Sequence, residues 1–286
     1  MRGKSRQYAG ATRFVLCYES FSGAGKIMSN MGLNVVETDV EIKTPDGICD
    51  AAFIHPVHDS HPGVLIWCDA FGLRPVTRAI GRRVAAEGYS VLVPNPFYRV
   101  GKGISLDPSK MSFKNPDDMA KIRPLMASAT APGNVEKDSG DFVAFLDAQD
   151  EVDSSKKFGV QGYCMGGPLM MRTAAVFPHR IGAGASLHGN LVNDKPDSPH
   201  LLAPKIKARL YVGIAASDHA RQPDAKDKLE GAFSDAHVAA EVEIYPAKHG
   251  WCMEDMPIED GVPVYNQAEA ERAMEKVLEL YGEALA

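Results

Sequence analysis

Phe158-Gly-Val-Gln-Gly-Tyr-Cys-Met-Gly-Gly167 is the stretch from which the fold of this chain is read. Phe158–Gln161 has the composition of a short buried strand, and the apolar run Leu169–Phe177 that follows is helix-forming. Between them stands Gly162-Tyr163-Cys164-Met165-Gly166, a G-x-nucleophile-x-G pattern with cysteine at its centre. A strand that turns so sharply into a helix pushes the central residue towards forbidden backbone angles. Side chains two positions to either side would then collide with the neighbouring strand and helix, so glycine is required there. The helix expected just past Cys164 aims its unpaired N–H groups and the positive end of its dipole at the sulfur, which favours a thiolate.

Outward from this turn, the chain alternates strand and helix signals. Val35–Lys43 alternates polar and apolar residues at period two, Thr44-Pro-Asp-Gly47 is a turn, and Ile48–Ile54 is the expected return strand. Val64–Trp67 and Ser90–Val93 are short apolar runs of the kind that form strands buried on both faces, with an amphipathic helix over Val76–Glu87 between them. Residues 97–136 are polar and contain Pro and Gly, with a helix near Asp117–Ala127; so long a connection in a compact domain usually covers a site. A helix over Val135–Asp147 leads into the central strand. Beyond the turn the pattern predicts strands Ile181–Leu187, Arg209–Ile214 and Glu241–Tyr245, and helices Pro223–Ser234 and Gln267–Leu285. An antiparallel hairpin followed by this alternation implies an α/β fold: a mostly parallel central sheet with helices on both faces. Chemistry in such sheets collects beyond the carboxyl ends of the strands.

Composition narrows the function classes. The chain has 286 residues, 45% of them hydrophobic, enough for a sizeable core. Its 31 Lys+Arg against 37 Asp+Glu give a formal charge of −6, with no basic block, so no nucleic-acid or membrane partner is expected. The five cysteines, Cys17, Cys49, Cys68, Cys164 and Cys252, are odd in number and contain no C-x-x-C pair. That argues against a disulfide framework or a zinc site and for a reducing, cytoplasmic location. No run approaches the roughly 20 apolar residues of a membrane span. Residues 1–33 lack periodicity and are expected to be a poorly ordered extension or translated upstream sequence, with residues 34–286 forming the folded domain. The chain is expected to be a monomer or a weak homo-oligomer, with no cofactor.

A thiol nucleophile needs a base within hydrogen-bonding reach and an acid to orient that base. Asp218 directly follows the strand Arg209–Ile214, and His249 follows the last strand, so both fall at strand carboxyl ends in the order nucleophile, acid, histidine. Asp224, Asp194 and Asp197 are rival acids without a strand end to position them, and His188, His200 and His219 are rival histidines. The backbone N–H of Met165, directly after the nucleophile, is the expected first oxyanion donor, and Ala70, in the loop after Val64–Trp67, the second. Phe71, Tyr98, His188 and Trp251 are candidates to line a substrate pocket. His55-Pro-Val-His58-Asp-Ser-His61 has the residue types of a metal site but lies in the loop before the Val64 strand, away from the catalytic face, and is expected to be solvated.

Gly162-Tyr-Cys-Met-Gly-Gly167 with Asp218 and His249 resembles the dienelactone hydrolase family of α/β-hydrolases. Cys68-Asp-Ala-Phe-Gly-Leu73 is similar to its acidic-x-Phe-Gly motif, and Pro94-Asn-Pro-Phe-Tyr-Arg99 to its Pro-x-Leu-Tyr-x-Arg stretch; the likeness runs from about Asn34 to the C-terminus. The resemblance implies an α/β-hydrolase fold and a triad of Cys164 as nucleophile, His249 as base and then acid, and Asp218 orienting the histidine. It also implies a carboxylate, Asp69, that holds the resting thiol protonated until substrate displaces it. The implied activity is hydrolysis of small esters or lactones through a thioester acyl-enzyme. Two departures bear on substrate. The family carboxylate is glutamate where this chain has the shorter Asp69, and a family arginine four residues after the histidine is Met253 here. A second family arginine falls near Ala120–Arg123, where Lys121 and Arg123 both stand. Two other readings use the same scaffold: a general carboxylesterase or thioesterase, and a non-catalytic small-molecule receptor.

Overall fold

The computed structural model describes residues 13–16, 32–259 and 261–286. Most of the expected N-terminal extension therefore lies outside the described residues. Within it Arg13–Leu16 forms strand β1, paired antiparallel with β2 (Val35–Thr44).

β2 and β3 (Gly47–Pro56) form the expected hairpin, in register from Thr44↔Gly47 to Val35↔Pro56. The turn needs Gly47, whose φ is +141°, and is fastened by Asp46 N–H donating to Thr44 Oγ1 at 3.1 Å. β3 pairs antiparallel with β5 (Ser90–Pro94). From β5 onward every pairing is parallel, through β4 (Gly63–Trp67), β6 (Phe158–Tyr163), β7 (Ile181–Leu187), β8 (Arg209–Ala215) and β9 (Ala240–Tyr245). The nine strands lie in the order β1-β2-β3-β5-β4-β6-β7-β8-β9. Strands inside this sheet have both faces covered, which is why β4 to β7 read as apolar runs without alternation.

Helices α3 (Asn134–Asp147), α4 (Gly166–Val176) and α6 (Ala225–Asp235) pack one core, meeting Phe158, Val160, Leu210 and Val212 from the sheet. Helices α1 (Pro75–Ala86) and α7 (Gln267–Ala284) pack the other, against Tyr163, Ala183, Ala185 and Tyr211. α2 (Pro116–Thr130) belongs to the long connection after β5. Its start is set by Asn115, whose Oδ1 accepts the N–H of Asp117 at 2.9 Å, and by Pro116 in the first turn. The structure adds elements absent from the sequence pattern. These are a 3-10 turn over Pro199–Lys205, the short helix α5 (Ala216–Arg221) and the small ribbon β10 (Ile258–Glu259) with β11 (Val262–Pro263). The result is an α/β-hydrolase fold, and β4, β6, β7, β8 and β9 all deliver their carboxyl ends to one rim.

The tightest packing lies under that rim. A Cβ on Gly166 would stand 2.4 Å from the Trp67 carbonyl oxygen and 2.8 Å from that of Cys68, both backbone atoms that have nowhere to go. Gly231, on the exposed side of α6, would meet nothing within 4 Å. Gly166→Ala is expected to lower unfolding free energy in urea by about 2 kcal/mol or more. Gly231→Ala should raise it by about 0.5–1 kcal/mol. Equal effects from the two would show that the turn is not sterically closed.

Candidate active site

Cys164 stands between β6 and α4 with φ +50°, a left-handed angle of the strained kind that the sequence pattern implies. The chain doubles back so sharply that a Cβ on Gly162 would lie 2.0 Å from the Gly166 carbonyl oxygen. Cys164 N–H donates to the Leu187 carbonyl at 3.1 Å and its own carbonyl accepts from Gly167 at 3.1 Å, so the turn is pinned to β7 on one side and α4 on the other. The cysteine is half-buried. Burial pushes the thiols of Cys49, Cys68 and Cys252 up, Cys68 to about 12, which leaves them unreactive.

β8 runs into α5, which carries Asp218 in its first turn, and His249 follows β9. The two meet: His249 Nδ1 donates to Asp218 Oδ2 at 2.8 Å. The contact is doubled by His249 N–H donating to Ser217 Oγ at 2.9 Å, so the acid loop holds both the ring and the backbone of the histidine. The other oxygen of Asp218, Oδ1, accepts from Arg221 one turn on. With Nδ1 committed to the acid, the nitrogen left to face Cys164 is Nε2. Burial acts against charge on His249. The Cys164 thiolate form and the Asp218 carboxylate outweigh it, through charge and hydrogen bonding, and push the imidazole up to about 10. Cys164, His249 and Asp218 are thus brought together.

The two oxyanion candidates, Met165 and Ala70, lie at the starts of the segments that follow β6 and β4. Among the described residues neither the Met165 nor the Ala70 amide donates to a backbone or side-chain acceptor. They share a small apolar cluster with Phe97 and with Leu125 and Ala129 of α2, so the long connection after β5 covers this part of the site. Leu106 N–H donating to the Phe71 carbonyl at 2.9 Å fastens that cover to the loop after β4.

Other expected site residues lie elsewhere. Asp69 does not serve the resting thiol: its carboxylate takes Arg74 Nη1 on Oδ1 at 2.6 Å and Arg74 Nη2 on Oδ2 at 2.9 Å, with Phe71 N–H on Oδ1 at 3.0 Å. Both oxygens of this short aspartate are thus turned to a buried guanidinium, and no hydrogen bond joins it to Cys164 among the described residues. Tyr98 is not a pocket residue, because its hydroxyl donates to Asp138 and accepts from Thr44 inside the core. Trp251 is fully buried and stacks on Tyr245 with ring centroids 4.7 Å apart, which makes it a support for the histidine loop. Phe71 is 4% exposed and packs edge-on against Phe113 of the cover. His188 does reach the site. Its ring centre is 5.0 Å from that of His249, it is 1% exposed, and neither ring nitrogen has a hydrogen-bond partner among the described residues. Burial, and then the charge on His249, hold it neutral, well below the ordinary imidazole range. Ser217, Arg221, Arg74 and Asp255 had no sequence signal, because each acts through a contact that only the folded chain creates. No group of three or more His, Cys, Asp or Glu side chains among the described residues is arranged to hold a metal ion.

Residues 49–285 match the sequence profile of the dienelactone hydrolase family. A protein of Escherichia coli (strain K12) named "Putative carboxymethylenebutenolidase" is 26% identical over 227 residues, covering 77% of this chain and 76% of its own length. The carboxymethylenebutenolidase of Rhodococcus opacus is 29% identical over 143 residues, 49% of this chain and 50% of that protein. The solved structure named m3DLH superposes with a TM-score of 0.72 at 22% identity, over 88% of this chain and 99% of its own, a likeness of fold.

The elevated His249 value has a sign that can be tested. Because the folded value lies above the ordinary imidazole range, the charged ring stabilises the fold fully below about pH 6.5. That contribution is lost as pH rises through about 10. In an NMR titration of the wild type, His249 is expected to change charge near 10, and in Cys164→Ala to move down towards 6.5, since the sulfur is the larger of the two raising influences. An unmoved midpoint in Cys164→Ala would separate the ring from the thiol.

Proposed function

The chain belongs to the dienelactone hydrolase family and is a hydrolase, and from that premise we propose that it cleaves small carboxylic esters or lactones through a thioester on Cys164. The observation that carries the reading is the hydrogen bond of Asp218 to His249 beside the strained strand-to-helix turn that bears Cys164.

In the proposed reaction the Cys164 thiolate attacks the ester carbonyl carbon, and the carbonyl π electrons move to oxygen. That oxygen receives the N–H groups of Met165 and Ala70, whose hydrogen bonds strengthen as its charge grows. Collapse re-forms the carbonyl and breaks the C–O bond, and the departing alkoxide takes the proton from His249 Nε2. Water then attacks the thioester and gives a proton to His249. The second tetrahedral adduct collapses with the thiolate as leaving group, which restores the enzyme. Asp218 holds the ring in the required tautomer and favours its charged form in each half. A thiolate suits activated esters, whose leaving groups depart without strong acid help, better than amides.

The substrate is proposed to be uncharged near its reacting centre. Met253, buried and apolar, stands where the family arginine would receive a carboxylate. Arg74, behind the loop that carries Ala70, already spends its donors on Asp69, Asp255 and Gly72.

A panel of aryl esters, neutral lactones and a carboxylate-bearing enol-lactone, run on wild type beside Cys164→Ala, tests this. Wild type is expected to favour the neutral substrates. Mass spectrometry of a quenched reaction should find the acyl group on the peptide bearing Cys164, and the alanine variant should lose about 10³-fold or more in kcat/KM. Ligand binding without turnover in the wild type would favour a receptor. Activity retained in Cys164→Ala would remove the thioester.

A further inference from the structure

Arg74 is among the most buried charged side chains of the molecule, with 3% of its side chain exposed, beside Asp69 at 4%. A guanidinium has five N–H donors in a fixed fork, and five contacts are found here. Nη1 donates to Asp69 Oδ1 at 2.6 Å and to the Gly72 carbonyl at 3.4 Å, and Nη2 to Asp69 Oδ2 at 2.9 Å. Nε donates to Asp255 Oδ2 at 2.6 Å and Nη2 to Asp255 Oδ1 at 3.0 Å. One guanidinium thus holds two carboxylates, each through both of its oxygens.

The two carboxylates sit on two different catalytic loops. Asp69 directly precedes Ala70. Its Oδ1 also fixes the Phe71 amide, and its carbonyl accepts from Gly72, so the four residues Asp69–Gly72 are pinned at both ends while the Ala70 amide stays free. Asp255 lies six residues beyond His249. Trp251, Met253 and Met256 N–H groups donate in turn to Lys248, Gly250 and Met253 carbonyls, so successive turns tie His249 to Asp255. Arg74 is itself anchored as the first residue before α1, where its N–H donates to Thr77 Oγ1 at 3.0 Å and its carbonyl accepts from the same hydroxyl at 2.9 Å.

We propose that Arg74 is a positioning residue that fixes the Ala70 oxyanion amide relative to the loop carrying His249. The proposal rests on the triad reading above and adds to it the part that sets oxyanion geometry. Two arguments separate it from plain stabilisation. A largely buried group of one cation and two anions, with Asp255 at its partly exposed edge, is weak support for a fold, since apolar residues of similar volume are often as stable. An oxyanion donor, by contrast, works only within a few tenths of an ångström of its place. The loop that holds Ala70 contains Gly72 at φ +85° and no strand pairing beyond the single bridge to Ser105, so an external tie is what holds it. Because every donor is taken, Arg74 has none to offer a substrate.

The test uses the full chain, an aryl ester, and iodoacetamide as a probe of Cys164 that forms no oxyanion. Arg74→Met is expected to lower kcat by about 10²-fold, the scale of one lost oxyanion donor, with KM changed less than about threefold. Stopped-flow should show acylation and deacylation slowed alike, since both pass through an oxyanion. Alkylation of Cys164 should stay within about twofold of wild type. Arg74→Lys, which lacks the fork, should recover only part of the loss. Should Arg74→Met not fold, Asp255→Asn keeps shape and the Asp69 pair and is expected to lose about tenfold in kcat, again with alkylation kept. An unchanged kcat, or alkylation falling in step with kcat, overturns the proposal while an active wild type leaves the hydrolase reading standing. A wild type inert towards every ester overturns both.

Discussion

The left-handed backbone at Cys164 is the constraint on which the rest of the site depends. A non-glycine residue at φ +50° is held there only because its surroundings leave no alternative. Those surroundings are backbone atoms: Gly162 against the Gly166 carbonyl, and Gly166 against the Trp67 and Cys68 carbonyls at the end of β4. The second contact joins two parts of the site at once. It presses the start of α4 onto the strand end from which the Ala70 loop departs, so one steric contact sets both the pose of the sulfur and the spacing between the Met165 and Ala70 amides. Gly167 extends the arrangement to β7, where a Cβ would stand 2.4 Å from Ser186 Oγ, two residues before His188.

Charge is then distributed around that turn. Cys164 and Asp218 both favour positive charge on the imidazole ring between them. The Asp218 carboxylate is oriented by Arg221 and the His249 backbone by Ser217, so few degrees of freedom remain to the base. His188 contributes by what it withholds. Buried and neutral at 5.0 Å from the His249 ring, it adds no second positive charge that would oppose protonation of His249.

What the sequence made legible follows from how local each signal is. The elbow is readable because strand, glycines, nucleophile and helix are contiguous in the chain, and Asp218 and His249 because strand ends are. The short helix α5 carries Asp218 yet spans too few residues to show a 3.6-residue period, so the sequence pattern offers only a turn. Tyr98 and Trp251 have the residue types of a pocket wall, but the same rings serve a core, and only tertiary contacts with Asp138 and Tyr245 decide between the two uses. The partners of Asp69 are hidden from the sequence for the same reason. Its partner Arg74 is five residues away, and the third member, Asp255, is 181 residues from Arg74 along the chain.

That last pairing reorganises the expected chemistry of the rim. The resemblance to the family calls for an arginine four residues after His249. Here that position is Met253, buried and apolar, and the buried arginine stands instead at the start of α1 with a carboxylate on each of two loops. Two aspartates against one arginine leave an excess of carboxylate around Arg74. An anionic substrate would find that guanidinium already engaged, whereas a neutral ester brings negative charge only at the carbonyl oxygen, which the Met165 and Ala70 amides are proposed to receive. The apolar cluster of Phe97, Leu125 and Ala129 over those amides strengthens the distinction, since excluding water raises the worth of each hydrogen bond to the oxyanion and the cost of any unpaired charge.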